Sequence, residues 1–124
     1  MMNKIVDQVK QNVGTDLSAR VGLSREQTAK GIEIAGRVTS EVVRETYAKQ
    51  PAVVKNLFSK EPNTPEAKGI VDRIGKNYAE TLTRELGMNA LKAAAMKDAV
   101  IPSVTATVAH QVDGKEDVIK TLFA

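Results

Sequence analysis

The second half of this sequence repeats the first half at a constant distance of 65 residues. Residues 5–59 align with residues 70–124 without a gap, and twelve of the fifty-five aligned pairs are identical. The identities occur at the start, in the middle and at the end of the alignment, as in Ile5-Val6-Asp7 with Ile70-Val71-Asp72 and Leu57-Phe58 with Leu122-Phe123. Because repeated sequence units fold into repeated structural units, this duplication constrains the fold more than any other feature.

The duplication predicts a single domain over residues 1–124. Within it we expect repeat units at 1–60 and 65–124, joined by a proline-containing linker at 60–65. The length of 124 residues agrees with one domain, because a chain of this size can bury one modest core.

The matched positions are mainly apolar and follow helical spacing. In each unit the first apolar series recurs every four residues, which places a stripe along one face of an α-helix. The series are Ile5, Val9, Val13, Leu17, Val21 and Ile70, Ile74, Tyr78, Leu82, Leu86. A second, long helix is predicted at about 25–49 and 90–112, and a short third helix closes each unit. The predicted fold class is therefore all-α, a compact multi-helical domain of two similar three-helix units with a pseudo-twofold relation.

Residues typical of helix ends stand at equivalent places in both units. Gly22 and Gly87 follow the last apolar position of the first helix, where glycine favours a left-handed C-terminus. Ser24 and Asn89 are predicted N-caps of the long second helices. Pro51 is predicted at the start of the short third helix of the first unit, and Thr64-Pro65 at the start of the first helix of the second unit. Pro102 lies inside the second of these helices, and we expect it to kink or split that helix.

The composition is typical of a folded domain and is compatible with a reducing compartment. Cysteine is absent, which excludes disulfides, thiolate metal sites and cysteine nucleophiles. The charged N-terminal stretch predicts no signal peptide, and no apolar run approaches the roughly 18 residues needed to span a bilayer. We therefore expect a cytoplasmic protein without a membrane partner. The net charge is +4 over residues 1–60 and −1 over 61–124, so an acidic partner of the first unit is an open alternative to a simply solvated helix surface.

The titratable residues form no recognisable catalytic or metal site. His110 is the only histidine, and one histidine without cysteine leaves no transition-metal site. We expect its imidazole to interact with the last carbonyls of a helix. Asp113, Glu116 and Asp117 lack the spacing of a calcium loop and more simply favour the start of the last helix. We predict that the chain is not an enzyme and has no catalytic residues, no cofactor and no metal.

Two functional predictions follow. The first is a non-enzymatic helical module that acts by protein–protein association or self-assembly, because the repeat preserves an apolar plan rather than a polar site. Small residues that let helix backbones approach closely support it; they are Gly31, Ala35, Gly36 and Ala93, Ala94, Ala95.

The alternative is weak binding of double-stranded DNA by a helix-turn-helix-like segment at residues 17–32. Arg25, Gln27 and Lys30 would be the nucleic-acid-binding residues, at the exposed start of the recognition helix. Thr28 stands where an apolar packing residue is usual, which argues against this alternative.

One run of the second unit resembles a known family. It consists of Leu82-Thr83-Arg84-Glu85-Leu86-Gly87-Met88, Ala93-Ala94-Ala95 and Val100-Ile101-Pro102-Ser103-Val104. This run resembles the YidB-like family of small bacterial helical proteins of unknown function, most clearly over 70–108 and less over 5–58. The first unit has the same opening but carries Arg37 at the proline position. The resemblance implies an all-helical fold and a bacterial, cytoplasmic origin, and it brings no catalytic residues.

Overall fold

In the computed structural model, which describes residues 2–123, every regular element is a helix. The elements are α1 (Met2–Val9), a π-helical segment (Lys10–Gly14), α2 (Thr15–Val21), α3 (Arg25–Lys49), α4 (Pro51–Leu57), α5 (Pro65–Leu86), α6 (Ala90–Val112) and α7 (Glu116–Phe123). The all-α prediction is confirmed for this part of the chain, as are both long helices. None of the helices within residues 2–123 has the length and apolar character needed to cross a bilayer.

Helix α1, the π-helical segment and α2 follow one another without a break. Val9 and Gly14, at the two junctions, both keep right-handed helical dihedral angles. This continuous helical stretch ends at Gly22, where φ is +76°, and α5 ends in the same way at Gly87, where φ is +66°. Glycine adopts this left-handed conformation without the steric cost of a Cβ, so both predicted helix ends are confirmed. The π-helical segment was not predicted.

Side-chain caps begin the long helices as the sequence predicts. The Ser24 hydroxyl accepts a hydrogen bond from the Gln27 N–H at 3.0 Å, and the Asn89 side-chain oxygen accepts one from the Lys92 N–H at 2.8 Å. Thr64 caps α5 in the same manner. Each cap satisfies an N–H that the first helical turn leaves without an intrahelical partner. Helices α3 and α6 therefore start 65 residues apart, and so do α4 and α7.

Of the two expected effects of Pro102 on α6, a kink or a split, the structure contradicts the split. The helix runs from Ala90 to Val112 with the proline inside it. Proline lacks the N–H that would bond to the carbonyl of Asp98, one turn earlier. Pro102 and Asp98 are both exposed. Water can therefore take the place of the missing donor, which explains why the helix continues.

The core draws apolar side chains from all the helices. Leu17 and Leu82, which occupy equivalent positions in the repeat, are both fully buried, and so is Tyr78. Helix α3 packs against α5 and against α1, while α6 packs against α5, α1 and α2. Helices α3 and α6 therefore each contact helices of both halves of the chain, which explains why one core serves the whole chain.

Gly31 of α3 packs against side chains of α5 and α6. The Tyr78 hydroxyl donates a hydrogen bond to the Gly31 carbonyl at 2.8 Å, and burial raises the pKa of that hydroxyl, so it stays protonated. A Cβ on Gly31 would lie 2.6 Å from the Met96 methyl group. The absence of a side chain at Gly31 thus leaves room for the Met96, Leu82 and Tyr78 side chains, whereas Ala95 is exposed. Close approach of the backbones at the small residues stays a prediction.

Two expectations about the C-terminal region were wrong. Asp113 adopts left-handed dihedral angles, with φ at +46°, and ends α6 rather than favouring the start of α7; only Glu116 and Asp117 lie in the first turn of α7. Short polar side chains such as aspartate tolerate this conformation better than most residues. His110 lies in the last turn of α6 but is exposed. Its imidazole makes no hydrogen bond to any of residues 2–123.

Candidate functional site

The two long helices of each half form a hairpin with a groove along its outer side. In the first half, residues further along the stretch from α1 to the π-helical segment contact residues nearer the start of α3. A Cβ on Gly36 would lie 2.6 Å from Val6, and one on Gly14 would lie 3.9 Å from Ile32. The hairpin is therefore antiparallel along its length.

Each half has a groove between its first and second helical stretches, and the two grooves involve equivalent sequence positions. One, of about 570 Å³, lies between α1 and α3, and the other, of about 610 Å³, lies between α5 and α6. Six positions that line the first correspond, 65 residues later, to positions that line the second. The pairs are Val6/Val71, Asp7/Asp72, Lys10/Gly75, Glu33/Asp98, Gly36/Ile101 and Arg37/Pro102.

A smaller pair of grooves continues these two towards the turn of each hairpin. Their volumes are about 150 Å³ in the first half and about 390 Å³ in the second. Six equivalent positions line both, namely Gly14/Ala79, Thr15/Glu80, Arg25/Ala90, Thr28/Ala93, Ala29/Ala94 and Ile32/Lys97. Each half thus carries one continuous groove. We call the groove between α1 and α3 the charged seam and the groove between α5 and α6 the apolar seam, each defined by its twelve positions above.

The two seams differ in chemistry although their positions correspond. An ion pair between Lys10 and Glu33, 3.0 Å apart, bridges the charged seam. In the apolar seam Gly75 replaces the lysine, so no equivalent bridge can form. The stem of Lys97 crosses there instead, 3.1 Å from the place of a Cβ on Gly75. Because a lysine stem is flexible and apolar, the apolar seam can be opened at low cost.

The residues predicted to bind DNA lie at the outer end of the first hairpin. Arg25, Gln27 and Lys30 are all exposed, and the Lys30 ammonium lies 3.2 Å from the Glu26 carboxylate. A helix-turn-helix holds its two helices at about 90–120°. The antiparallel hairpin differs from that geometry, because its helices stay in contact along their length. Buried Thr28 bonds to the Ser24 carbonyl, and DNA binding at these three residues stays a prediction.

A polar cluster that sequence reasoning missed holds α7 in place. The Tyr47 hydroxyl donates to the Glu116 carboxylate at 2.7 Å, and the Lys55 ammonium lies 3.1 Å from the other carboxylate oxygen. The bond from Tyr47, helped by Lys55, lowers the pKa of Glu116, and the same bond raises the pKa of Tyr47. The cluster joins α3, α4 and α7, far apart in sequence. No local spacing could have signalled it.

Backbone contacts and aromatic stacking complete the attachment of α7. The Gly114 N–H donates to the Phe58 carbonyl at 2.8 Å, and the Arg44 side chain donates to the Phe123 carbonyl at 2.9 Å. The rings of Phe58 and Phe123 stack with their centroids 5.6 Å apart. Both rings are buried. These contacts serve the fold and present no reactive group.

Comparisons with protein-family models, with curated proteins and with solved structures find no match for this chain. The resemblance to the YidB-like family therefore stays a prediction. Among residues 2–123, no three histidine or carboxylate side chains come close enough together to hold a metal ion.

Proposed function

We propose that this chain is a non-enzymatic association module that binds protein through the apolar seam. The observation that carries the proposal is the difference between two equivalent grooves. Lys10 and Glu33 bridge the charged seam with an ion pair, whereas the apolar seam contains alanine, glycine and proline and is crossed by the flexible stem of Lys97. A groove between two helices is a common docking place for a helix of a partner. Leu91 supports the proposal, because it is 82% exposed at the start of α6, one residue after Ala90 of the seam.

The proposal includes a duplicated architecture, with two units related by a pseudo-twofold axis. Residues close to such an axis contact their own equivalents. Gly31 and Met96 stand 65 positions apart and meet where α3 and α6 approach. Phe58 and Phe123 stand the same distance apart and stack on each other. The two seams add twelve more pairs of equivalent positions. In the proposed architecture each unit therefore carries its own version of the same surface, and the surface of one unit can change in sequence while the other does not.

Site-specific photo-crosslinking tests the proposed function. A photoreactive amino acid at Ala94, in the apolar seam, is expected to yield adducts of higher mass, with a second copy in purified protein or with another protein in lysate of the source cells. Ala48 of α3 is the matched control, because it is an exposed alanine outside both seams. Adducts no more abundant at Ala94 than at Ala48, together with a strict monomer in light scattering, would contradict the proposal.

Duplex DNA binding is the alternative proposal. Its support is the exposure of Arg25, Gln27 and Lys30 at the start of α3. The ion pair between Glu26 and Lys30 favours the association module over DNA binding, because Glu26 brings negative charge to the same surface.

A further inference from the structure

Helix α5 carries a row of alternating charges along the edge of the apolar seam. Asp72, Lys76, Glu80 and Arg84 follow one another at four-residue spacing, and all four are exposed. Residues four apart lie on the same side of a helix, so their charges form one line, negative, positive, negative, positive. The first three form no ion pair with any of residues 2–123, and Arg84 lies 4.0 Å from Glu85. The row is thus free for charges outside the chain.

Such a row is complementary to itself when two copies run antiparallel. With the symmetry axis beside position 78, Asp72 of one copy faces Arg84 of the other, and Lys76 faces Glu80. A twofold interface forms each contact twice, so two kinds of opposite-charge pair give four pairs in total. No like charges of the row face each other in this register. Complementary charges of this kind fix the orientation and the register of a complex.

The neighbouring row of α5 permits close contact in the same register. It consists of Val71, Gly75, Ala79 and Thr83, which face the apolar seam. About an axis beside position 77, Gly75 of one copy faces Ala79 of the other. Small side chains shorten the distance between packed helices. Because this row is displaced from the charged row by one residue, both rows can lie at the same twofold interface.

We propose that the apolar seam is a homodimer interface, occupied by α5 of a second copy of this chain. The proposal rests on the proposed function, since it names the partner of the same surface. Each copy lays its α5 along the other copy's seam, and the Lys97 stem above Gly75 moves aside. The equivalent row of the first unit carries one charge in place of four, since it consists of Asp7, Gln11, Thr15 and Ala19. The second unit alone therefore forms this interface.

Charge reversal at the centre of the row tests the proposal by sedimentation velocity on purified chain. The unmodified protein is expected to form a reversible dimer. In a dimer of Lys76→Glu, each introduced carboxylate faces Glu80 of the other copy. In a dimer of Glu80→Lys, each introduced ammonium group faces Lys76 of the other copy. Each variant alone should raise the dimer dissociation constant about tenfold or more, because attractive pairs become repulsive. An equal mixture of the two variants should restore the dimer, since both pairs are then of opposite charge.

Lys68→Glu is the matched control on the same helix. Lys68 continues the row by one turn, but its opposite position is 88, beyond the end of α5, so the variant should dimerise like the unmodified protein. A monomeric unmodified chain, a dimer insensitive to Lys76→Glu, or a mixture that stays monomeric would each overturn the proposal. If the chain is monomeric while Ala94 crosslinks to another protein in lysate, the homodimer fails and the proposed function stands. If neither occurs, both fail.

Discussion

Replacing Gly31 with leucine is expected to lower the free energy of unfolding by about 3 kcal/mol or more. A Cβ at this position already lies 2.6 Å from the Met96 methyl group and 3.5 Å from Leu82. The rest of a leucine side chain would push α3 away from α5 and break the hydrogen bond from Tyr78 to the Gly31 carbonyl. Chemical denaturation followed by circular dichroism measures the loss.

Gly69→Leu is the matched control for this substitution. Gly69 also lies inside a helix, but a Cβ there would meet nothing within 4 Å. Because leucine favours helix more than glycine does, the control is expected to gain a few tenths of a kcal/mol to about 1 kcal/mol. Equal effects at the two positions would mean that Gly31 is not a point of close helix contact.

Truncating Phe58 to alanine is expected to cost about 3–5 kcal/mol of unfolding free energy, and Phe123→Ala a similar amount. Both rings are almost fully buried, and they stack at 5.6 Å, so removal of either leaves a cavity beneath α7. The double variant should cost less than the sum of the single variants by roughly 0.5–1.5 kcal/mol, the usual coupling of a stacked pair. Thermal and denaturant unfolding of all three variants measure these differences.

Leu91→Ala provides the comparison for the phenylalanine variants. Leu91 is 82% exposed, so its truncation is expected to change stability by less than about 0.5 kcal/mol. Additive costs at Phe58 and Phe123 would indicate that the two rings act in separate surroundings, which contradicts the stacked arrangement.

The helices could be predicted from the sequence because their signals are local. Apolar residues at four-residue spacing predicted the buried faces that carry Leu17 and Leu82. Gly22, Gly87, Ser24 and Asn89 marked helix ends through backbone conformation and capping, which involve only near neighbours in the chain. Both long helices therefore begin and end where the sequence predicted.

The remaining features depend on contacts between distant residues or on solvent. The bond from Tyr47 to Glu116 spans 69 residues, and no periodicity reports it. Pro102 was expected to disrupt α6, but its effect depends on whether the carbonyl of Asp98 faces water, which only the packed structure determines. The π-helical segment likewise has no sequence signal of its own.

The candidate site could not be located from the sequence. Small residues and the duplicated apolar plan pointed to association, but not to the groove between α5 and α6. That groove is defined by side chains of two helices that only the fold brings together, and it differs from the groove of the first half because Arg25/Ala90 and Lys10/Gly75 are unlike residues at equivalent places. The prediction at Arg25, Gln27 and Lys30 used local turn residues, which an antiparallel hairpin and a helix-turn-helix share.

Distances between spin labels test the proposed twofold relation of the two units most directly. Because the chain has no cysteine, labels attach only at cysteines introduced in pairs, at positions 4 and 91 in one variant and at 69 and 26 in another. All four positions are exposed, and the second pair is the first pair with the two units exchanged. With excess unlabelled protein to suppress distances between copies, the two pairs are predicted to give coinciding distance distributions by pulsed electron paramagnetic resonance. Two clearly separate distributions would contradict the duplicated architecture on which the account of both seams rests.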